Sequence, residues 1–293
     1  MECFELKNDK ISIRVCSLGA ELQSIRSLER DMEYIWQPGT ETFAHHTMLL
    51  FPNPGRIAHD RIIVGGNVYP AMMHGFANDM DFRLVEHSEN KILLELAATD
   101  YTRRYFPYEF RFQVEFSLEG EKVLQHFHVI NDDGKPLYYC LGAHPGFYCP
   151  IVLGESGNDY SLVFDVPQKL NQHELEAHTR LLTGNTTTAL DNETEIPLDE
   201  HFFDNGPRLY GNMTAGTITL LSKRSGHFME LGIAGFDNLC LWGAPGKMSV
   251  ICIEPWCGTS DRTDTDHVWE TKPGIRRIEI GETGHHLLTF RVG

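Results

Sequence analysis

Apolar and polar residues alternate along much of the chain with a period of two. The cleanest run is Phe110, Phe112, Val114, Phe116 and Leu118, interleaved with Arg111, Gln113, Glu115 and Ser117. Such strict alternation predicts a strand with one buried face and one wet face. Ile11, Ile13 and Val15 repeat the pattern, as do Ile92, Leu94 and Leu96. Another run, from Val123 to Ile130, follows across Glu119-Gly120-Glu121, which predicts a hairpin. Asn131-Asp132-Asp133-Gly134 turns the chain again before a short strand at 137–141. Further strands are expected at 160–166, 216–222, 228–233, 238–242, 249–254, 276–280 and 287–292. No segment sustains a 3.6-residue period. A turn or two of helix is expected at 42–50 and again at 199–203. The 26 glycines and 14 prolines are spread along the chain rather than gathered in a linker. Many short strands separated by turn residues predict an all-β fold, a large antiparallel sandwich or barrel with a ligand site on a concave face. The even spread of breakers makes residues 1–293 a single expected domain.

Charge narrows the partners. Lys and Arg number 25 against 41 Asp and Glu, a formal charge of −16. A surface that binds nucleic acid needs clustered cations. Arg103–Arg104 and Arg276–Arg277 are isolated pairs and no basic run exists. Nucleic acid and anionic membranes are therefore disfavoured, and a small neutral polar ligand remains. The opening residues, Met1-Glu2-Cys3-Phe4-Glu5-Leu6-Lys7, are charged and lack the apolar centre of a signal peptide. No apolar stretch approaches the roughly 18 residues of a membrane helix. Cys3, Cys16, Cys140, Cys149, Cys240, Cys252 and Cys257 are odd in number and form no C-x-x-C pair. They are expected to be reduced packing residues of a cytoplasmic protein.

Four stretches gather polar groups beside Gly and Pro: Phe51-Pro52-Asn53-Pro54-Gly55-Arg56-Ile57, Met73-His74-Gly75-Phe76-Ala77, Leu141-Gly142-Ala143-His144-Pro145-Gly146-Phe147, and the run from Ile251 to Asp261. Each is expected to present one ionisable side chain where a strand meets a turn, either as a reactive group or as a loop residue satisfying nearby backbone. Glu254 stands out because it follows an apolar strand and precedes Pro255-Trp256. Partial desolvation there would raise its pKa toward that of a working general base.

Taken together, these stretches resemble the aldose 1-epimerases (galactose mutarotases), and within them the LacX-like branch. The resemblance includes Leu18-Gly19-Ala20-Glu21-Leu22, Glu33-Tyr34-Ile35-Trp36-Gln37, Gly55-Arg56, His74-Gly75-Phe76, Ala143-His144-Pro145-Gly146-Phe147, Ile253-Glu254-Pro255-Trp256-Cys257-Gly258 and Lys272-Pro273-Gly274-Ile275. It runs over nearly the whole chain and implies a β-supersandwich. It also implies a mutarotase that exchanges the α and β anomers of a hexose by opening the ring, without metal or cofactor. Glu254 is then the general base and His144 the general acid. His74 binds near the ring oxygen, Arg56 binds a hydroxyl, and Asp204 or its neighbour Asn205 grips sugar hydroxyls. Trp256 and Phe147 offer apolar faces to the sugar or pack in the core. The partner is a small-molecule sugar, and the chain is a monomer or homodimer. Gly146 after the His-Pro pair and Pro54-Gly55 before Arg56 fit the LacX-like branch better than the galactose mutarotases, which leaves the sugar open.

Other readings compete. A hexose-6-phosphate 1-epimerase needs cations beside the site, for which Arg103 and Arg104 are candidates. A non-catalytic carbohydrate-binding or sensing protein would keep the cleft alone. A glycoside hydrolase would pair Glu254 with Asp261 or Asp204. His126 and His128 share a strand face and could join His45–His46 on a metal, but a third ligand is not evident and His is common on a strand's wet face. Asp261, Asp264 and Asp266 lack calcium-loop spacing. Neither a G-x-S-x-G elbow nor a Gly-rich phosphate loop is present.

Overall fold

The computed structural model describes residues 1–39, 43–246 and 248–293. Among them are 24 strands, five short 3-10 turns and no α-helix, so the two-residue period sets the architecture. A nine-stranded sheet runs in the order Glu193–Pro197, Tyr160–Gln168, Thr217–Ser222, Phe228–Gly232, Thr283–Val292, Lys122–Asn131, Phe110–Glu119, Lys91–Ala97, Arg83–His87. A seven-stranded sheet runs in the order Leu182–Thr188, Asn171–Leu175, Arg208–Gly211, Asn238–Gly243, Val250–Cys257, Leu141–Tyr148, Thr47–Leu50. A four-stranded sheet from Cys3 to Glu33 and two small two-stranded ribbons complete the fold. The result is an antiparallel β-sandwich, as the alternation predicts.

Side-chain parity places the core. Phe112, Val114, Phe116, Phe127, Val129 and Phe290 point inward from the nine-stranded sheet. Leu141, Ala143, Phe147, Ile251, Ile253, Leu239 and Leu241 meet them from the seven-stranded sheet. Phe147 reaches Phe290 across the gap, ring centres 6.5 Å apart. It is therefore a core residue and not a sugar-facing one.

The predicted hairpin at 119–121 forms, with Glu119 opposite Lys122. The expected helical turn at 42–50 does not: Thr47–Leu50 is an edge strand, while Thr42 lies outside the described residues. Residues 200–205 form a turn, begun by Asp199, whose Oδ1 accepts the His201 N–H at 2.7 Å. The expectation of seven free thiols fails at one place. Cys3 and Cys16 face each other across the first hairpin and form a disulfide. The other five cysteines are free and buried. No helix among the described residues is long and apolar enough to cross a membrane.

Because Phe147 is fully buried between the two sheets, Phe147→Ala should destabilise the protein by about 3–5 kcal/mol. Urea unfolding followed by tryptophan fluorescence measures this directly. A loss below 1 kcal/mol would show that the sandwich is not closed there.

Candidate active site

The strands Leu141–Tyr148 and Val250–Cys257 are buried on both faces. Their odd-numbered residues face the core. Their even-numbered residues, including Gly142, His144, Gly146, Cys252, Glu254 and Trp256, face the opposite way. Gly142 pairs with Trp256 and Gly146 with Cys252, so the register sets His144 opposite Glu254. The same row continues on both sides, since Glu254 pairs with Cys240, Cys240 with Leu209, and His144 with Met48. Leu209, Cys240, Glu254, His144 and Met48 thus form one line across five strands, and all five line a single cavity of about 780 Å³. That volume lies within the range of roughly 300–1,000 Å³ typical of small-molecule sites. His144 and Glu254 therefore stand mid-strand, not at the strand-to-turn junctions expected from sequence.

Two glycines shape the space around His144. A Cβ at Gly142 would stand 2.8 Å from Cδ1 of Trp256, and one at Gly146 would stand 3.0 Å from Cε1 of Phe43. Their absence lets an aromatic ring close in on each side. Phe43 stacks on the His144 ring with centres 4.9 Å apart and planes 13° from parallel. Its segment is tied down by Glu21, whose Oε1 accepts the His46 and Thr47 N–H groups at 2.8 and 3.2 Å. Burial pushes the Glu21 carboxyl up, but the His45 and His46 rings and the His46 N–H bond outweigh it and hold the group well below the usual carboxylate range.

His144 Nε2 lies 3.1 Å from Glu254 Oε1, with 7% of His144 and 1% of Glu254 exposed. Burial drives Glu254 well above the ordinary carboxylate range, against a smaller opposing pull from Trp256 and Cys240. Burial, then the nearby His74 ring, drives His144 well below the ordinary imidazole range. Both groups are pushed toward neutrality. A carboxylic acid beside a neutral imidazole holds the same number of protons as a carboxylate beside an imidazolium. The two forms differ by one proton moving along one hydrogen bond. Glu254 Oε2 and His144 Nδ1 are buried with no hydrogen-bond partner among the described residues.

His74 arrives from a loop and adopts a positive φ of 65°. It exchanges two bonds with Gly55: the His74 N–H donates to the Gly55 carbonyl, and the Gly55 N–H donates to His74 Nδ1, each at 3.0 Å. An N–H can only donate, so Nδ1 is the acceptor and the ring proton sits on Nε2. Burial, with the Arg56 charge beside it, lowers the His74 pKa to about 4. The ring remains a neutral donor, edge-on to His144 with centres 5.7 Å apart. The neighbouring Arg56 is fixed through its backbone. Its N–H donates to Ser260 Oγ at 3.1 Å, and its carbonyl accepts the Asp261 N–H at 2.8 Å. Asp261 itself is buried against Lys272 and accepts the Ala58 N–H at 2.9 Å. It braces the Arg56 loop and does not face Glu254 as a second carboxylate.

Asp204 stands on the cavity wall, whereas Asn205 does not. Its Oδ1 accepts the Gly246 N–H at 2.8 Å, and its Oδ2 lies 2.9 Å from His201 Nδ1. These partners, the backbone one first, hold it below the usual carboxylate range. All six candidate residues, Arg56, His74, His144, Asp204, Glu254 and Trp256, thus line one cavity. Arg103 and Arg104 do not; Arg103 is spent on Asp100 and Glu109 at the surface. His128 meets His285, Nδ1 to Nδ1 at 2.9 Å, and not His45 or His46, which lie at Glu21. Among the described residues no cluster of three or more His, Cys, Asp or Glu side chains is arranged to hold a metal ion. Sequence reasoning missed Cys240, Arg180 and Phe43 as cavity residues. The parity of the strand expected at 238–242 would have exposed Cys240, because Leu239 and Leu241 fix which face is core. Arg180 and Phe43 carry no such signal.

Comparison with known proteins agrees with this fold. Residues 2–210, which hold Arg56, His74, His144 and Asp204, match the profile of the family described as aldose 1-epimerase. The chain is 30% identical over 281 residues to the protein LacX of Lactococcus lactis subsp. lactis, covering 94% of each. A galactose mutarotase related enzyme from Lactobacillus acidophilus superposes with a TM-score of 0.93 at 25% identity, covering 100% of this chain and 97% of that one. A galactose mutarotase-like protein from Lactobacillus casei gives 0.91 at 26% identity over 100% of both chains.

The buried neutral histidine sets a pH window. The free imidazole value is 6.5 and the folded His74 value about 4, so between these the unfolded chain binds the extra proton. Stability should fall as pH drops from 6.5 toward 4, by up to about 3 kcal/mol from this residue. His74→Asn should flatten that part of the stability–pH curve, read by urea unfolding at stepped pH. An unchanged slope would refute the assigned burial and tautomer.

Proposed function

Since the chain belongs to the aldose 1-epimerase family, we propose that it interconverts the α and β anomers of a free hexose by ring opening, with Glu254 and His144 as the acid–base pair. The observation behind this reading is their 3.1 Å contact in the wall of a cavity of about 780 Å³. In the charged form, Glu254 takes the proton of the C1 hydroxyl while His144 gives its proton to the ring oxygen. The C1–O5 bond breaks and C1 becomes an aldehyde carbonyl. The enzyme is left with a carboxylic acid and a neutral imidazole, the state that burial favours. After rotation about C1–C2, the C5 hydroxyl attacks the other face of the carbonyl. His144 recovers the proton from that hydroxyl, and Glu254 returns its own to O1. No net proton is gained or lost. Because the two forms hold the same number of protons, the pair can pass protons in both directions without exchange with solvent.

The surrounding groups suit a sugar. His74 Nε2–H offers a fixed neutral donor, Arg56 a cationic one, and Asp204 an acceptor. Trp256 and Phe43 give apolar surface for the C–H faces.

A second reading keeps the chemistry and changes the substrate to a hexose 6-phosphate. It is favoured by Arg180, which lines the same cavity as Arg56. Among the described residues neither guanidinium has an ion-pair partner.

Polarimetry on freshly dissolved α-glucose and α-galactose tests the main reading, and anomeric exchange by NMR on the 6-phosphates tests the second. Glu254→Gln and His144→Asn should each lower kcat by about 10²–10⁴-fold. Wild-type rates in Glu254→Gln would overturn the mechanism. A kcat/KM for the phosphorylated sugar above that for the free one, lost in Arg180→Gln, would select the second reading.

A further inference from the structure

Glu254 has a cross-strand neighbour on each side. His144 takes one, through Oε1. Cys240 takes the other: it is the direct register partner of Glu254, is buried, and lines the same cavity. The remaining carboxyl oxygen, Oε2, is buried and makes no hydrogen bond among the described residues. The Trp256 indole N–H is in the same condition. The oxygen beside the base is thus approached by donors but held by none. Side chains directly opposite on antiparallel strands stand about 4.5–5.5 Å apart at Cβ, so the Cβ–Sγ side chain at 240 abuts the Glu254 carboxyl.

We propose that Cys240 is a positioning residue for Glu254: its thiol fills the space beside the carboxyl as a weak donor and keeps Oε2 free of a strong hydrogen bond, so that the carboxyl keeps its orientation and its basicity. Residue type at this position matters for a simple reason. A serine would have nearly the same shape but a strong O–H donor, which would bind Oε2, stabilise the carboxylate and weaken it as a base. An alanine would withdraw the donor and leave space. A thiol packs like a small apolar group with only a weak S–H. The other titratable groups around Glu254 are His144 on the neighbouring strand and Cys252 on its own strand. His74 and Arg56 approach from the loops and Asp204 from the far wall. None of these sits in register on the side that His144 leaves open; Cys240 does.

The role assigned to Cys240 rests on Glu254 being the base, so the test has a readout that needs no turnover. In protein carrying 13C-carboxyl glutamate, the Glu254 resonance is identified by its loss in Glu254→Gln and titrated without ligand. Cys240→Ser should titrate about one pH unit below wild type, as expected for one new hydrogen bond to a charged group. Cys240→Ala should titrate about half a unit above it. In the mutarotation assay, Cys240→Ser should lose about tenfold in kcat with KM within about twofold, and the acid limb of its pH–rate profile should move to lower pH. Titrations and pH profiles that coincide with wild type in both variants would make Cys240 a packing residue and overturn the inference. If Cys240→Ser does not fold, the Cys240→Ala titration decides alone, an unmoved resonance overturning the inference. Should the wild-type protein fail to accelerate mutarotation, the functional reading falls while the titrations still decide the role of Cys240.

Discussion

The antiparallel register between Leu141–Tyr148 and Val250–Cys257 is the constraint on which everything else depends. A slip of one residue would turn His144 and Glu254 into the apolar core and send Ala143 and Ile253 into the cavity. The slip is prevented from the other side of the sheet, where Phe147, Ile251 and Ile253 pack against the nine-stranded sheet. The same two strands therefore supply hydrophobic stability on one face and acid–base groups on the other. Each function holds the other in place.

His144 and Glu254 each precede a proline, Pro145 and Pro255. Proline in a central strand removes a ladder hydrogen bond and is rare there. It also confines the residue before it to extended backbone. His144 and Glu254 thus have their backbones restricted from the next residue along, which fixes the directions of the side chains that meet at 3.1 Å. The burial that pushes both groups toward neutrality also makes the pair costly to break. Removing one partner strands the other as an unpaired buried polar group. The net-neutral proton count is what makes so complete a burial tolerable.

The fold was legible because alternation survives wherever one face of a strand is wet, as at Phe110–Glu119 and Lys122–Asn131. The strands Asn171–Leu175, Leu182–Thr188 and Glu193–Pro197, at or next to the sheet edges, were not, because both of their faces are largely polar. The site strands were only partly legible, for the opposite reason. Buried on both faces, they show no alternation, and their glycines and prolines imitate turns. The identities of Arg56, His74, His144 and Glu254 came from motif resemblance; their shared cavity needed the register. Arg180 and Phe43 come from segments whose approach is set only by tertiary packing. The Cys3–Cys16 pairing was hidden because spacing alone cannot tell a cross-strand pair from two unrelated thiols.

The row Leu209–Cys240–Glu254–His144–Met48 has a consequence for how the chain reaches its native state. Its five members come from five separate segments, and the first segment in sequence lies at the edge while the last lies in the middle. No local hairpin contains both His144 and Glu254, since more than a hundred residues separate them. Loop closures of that length are slow and late. The cavity floor is therefore completed only when the sheet is, and no contiguous half of the sequence can assemble a working fragment of it.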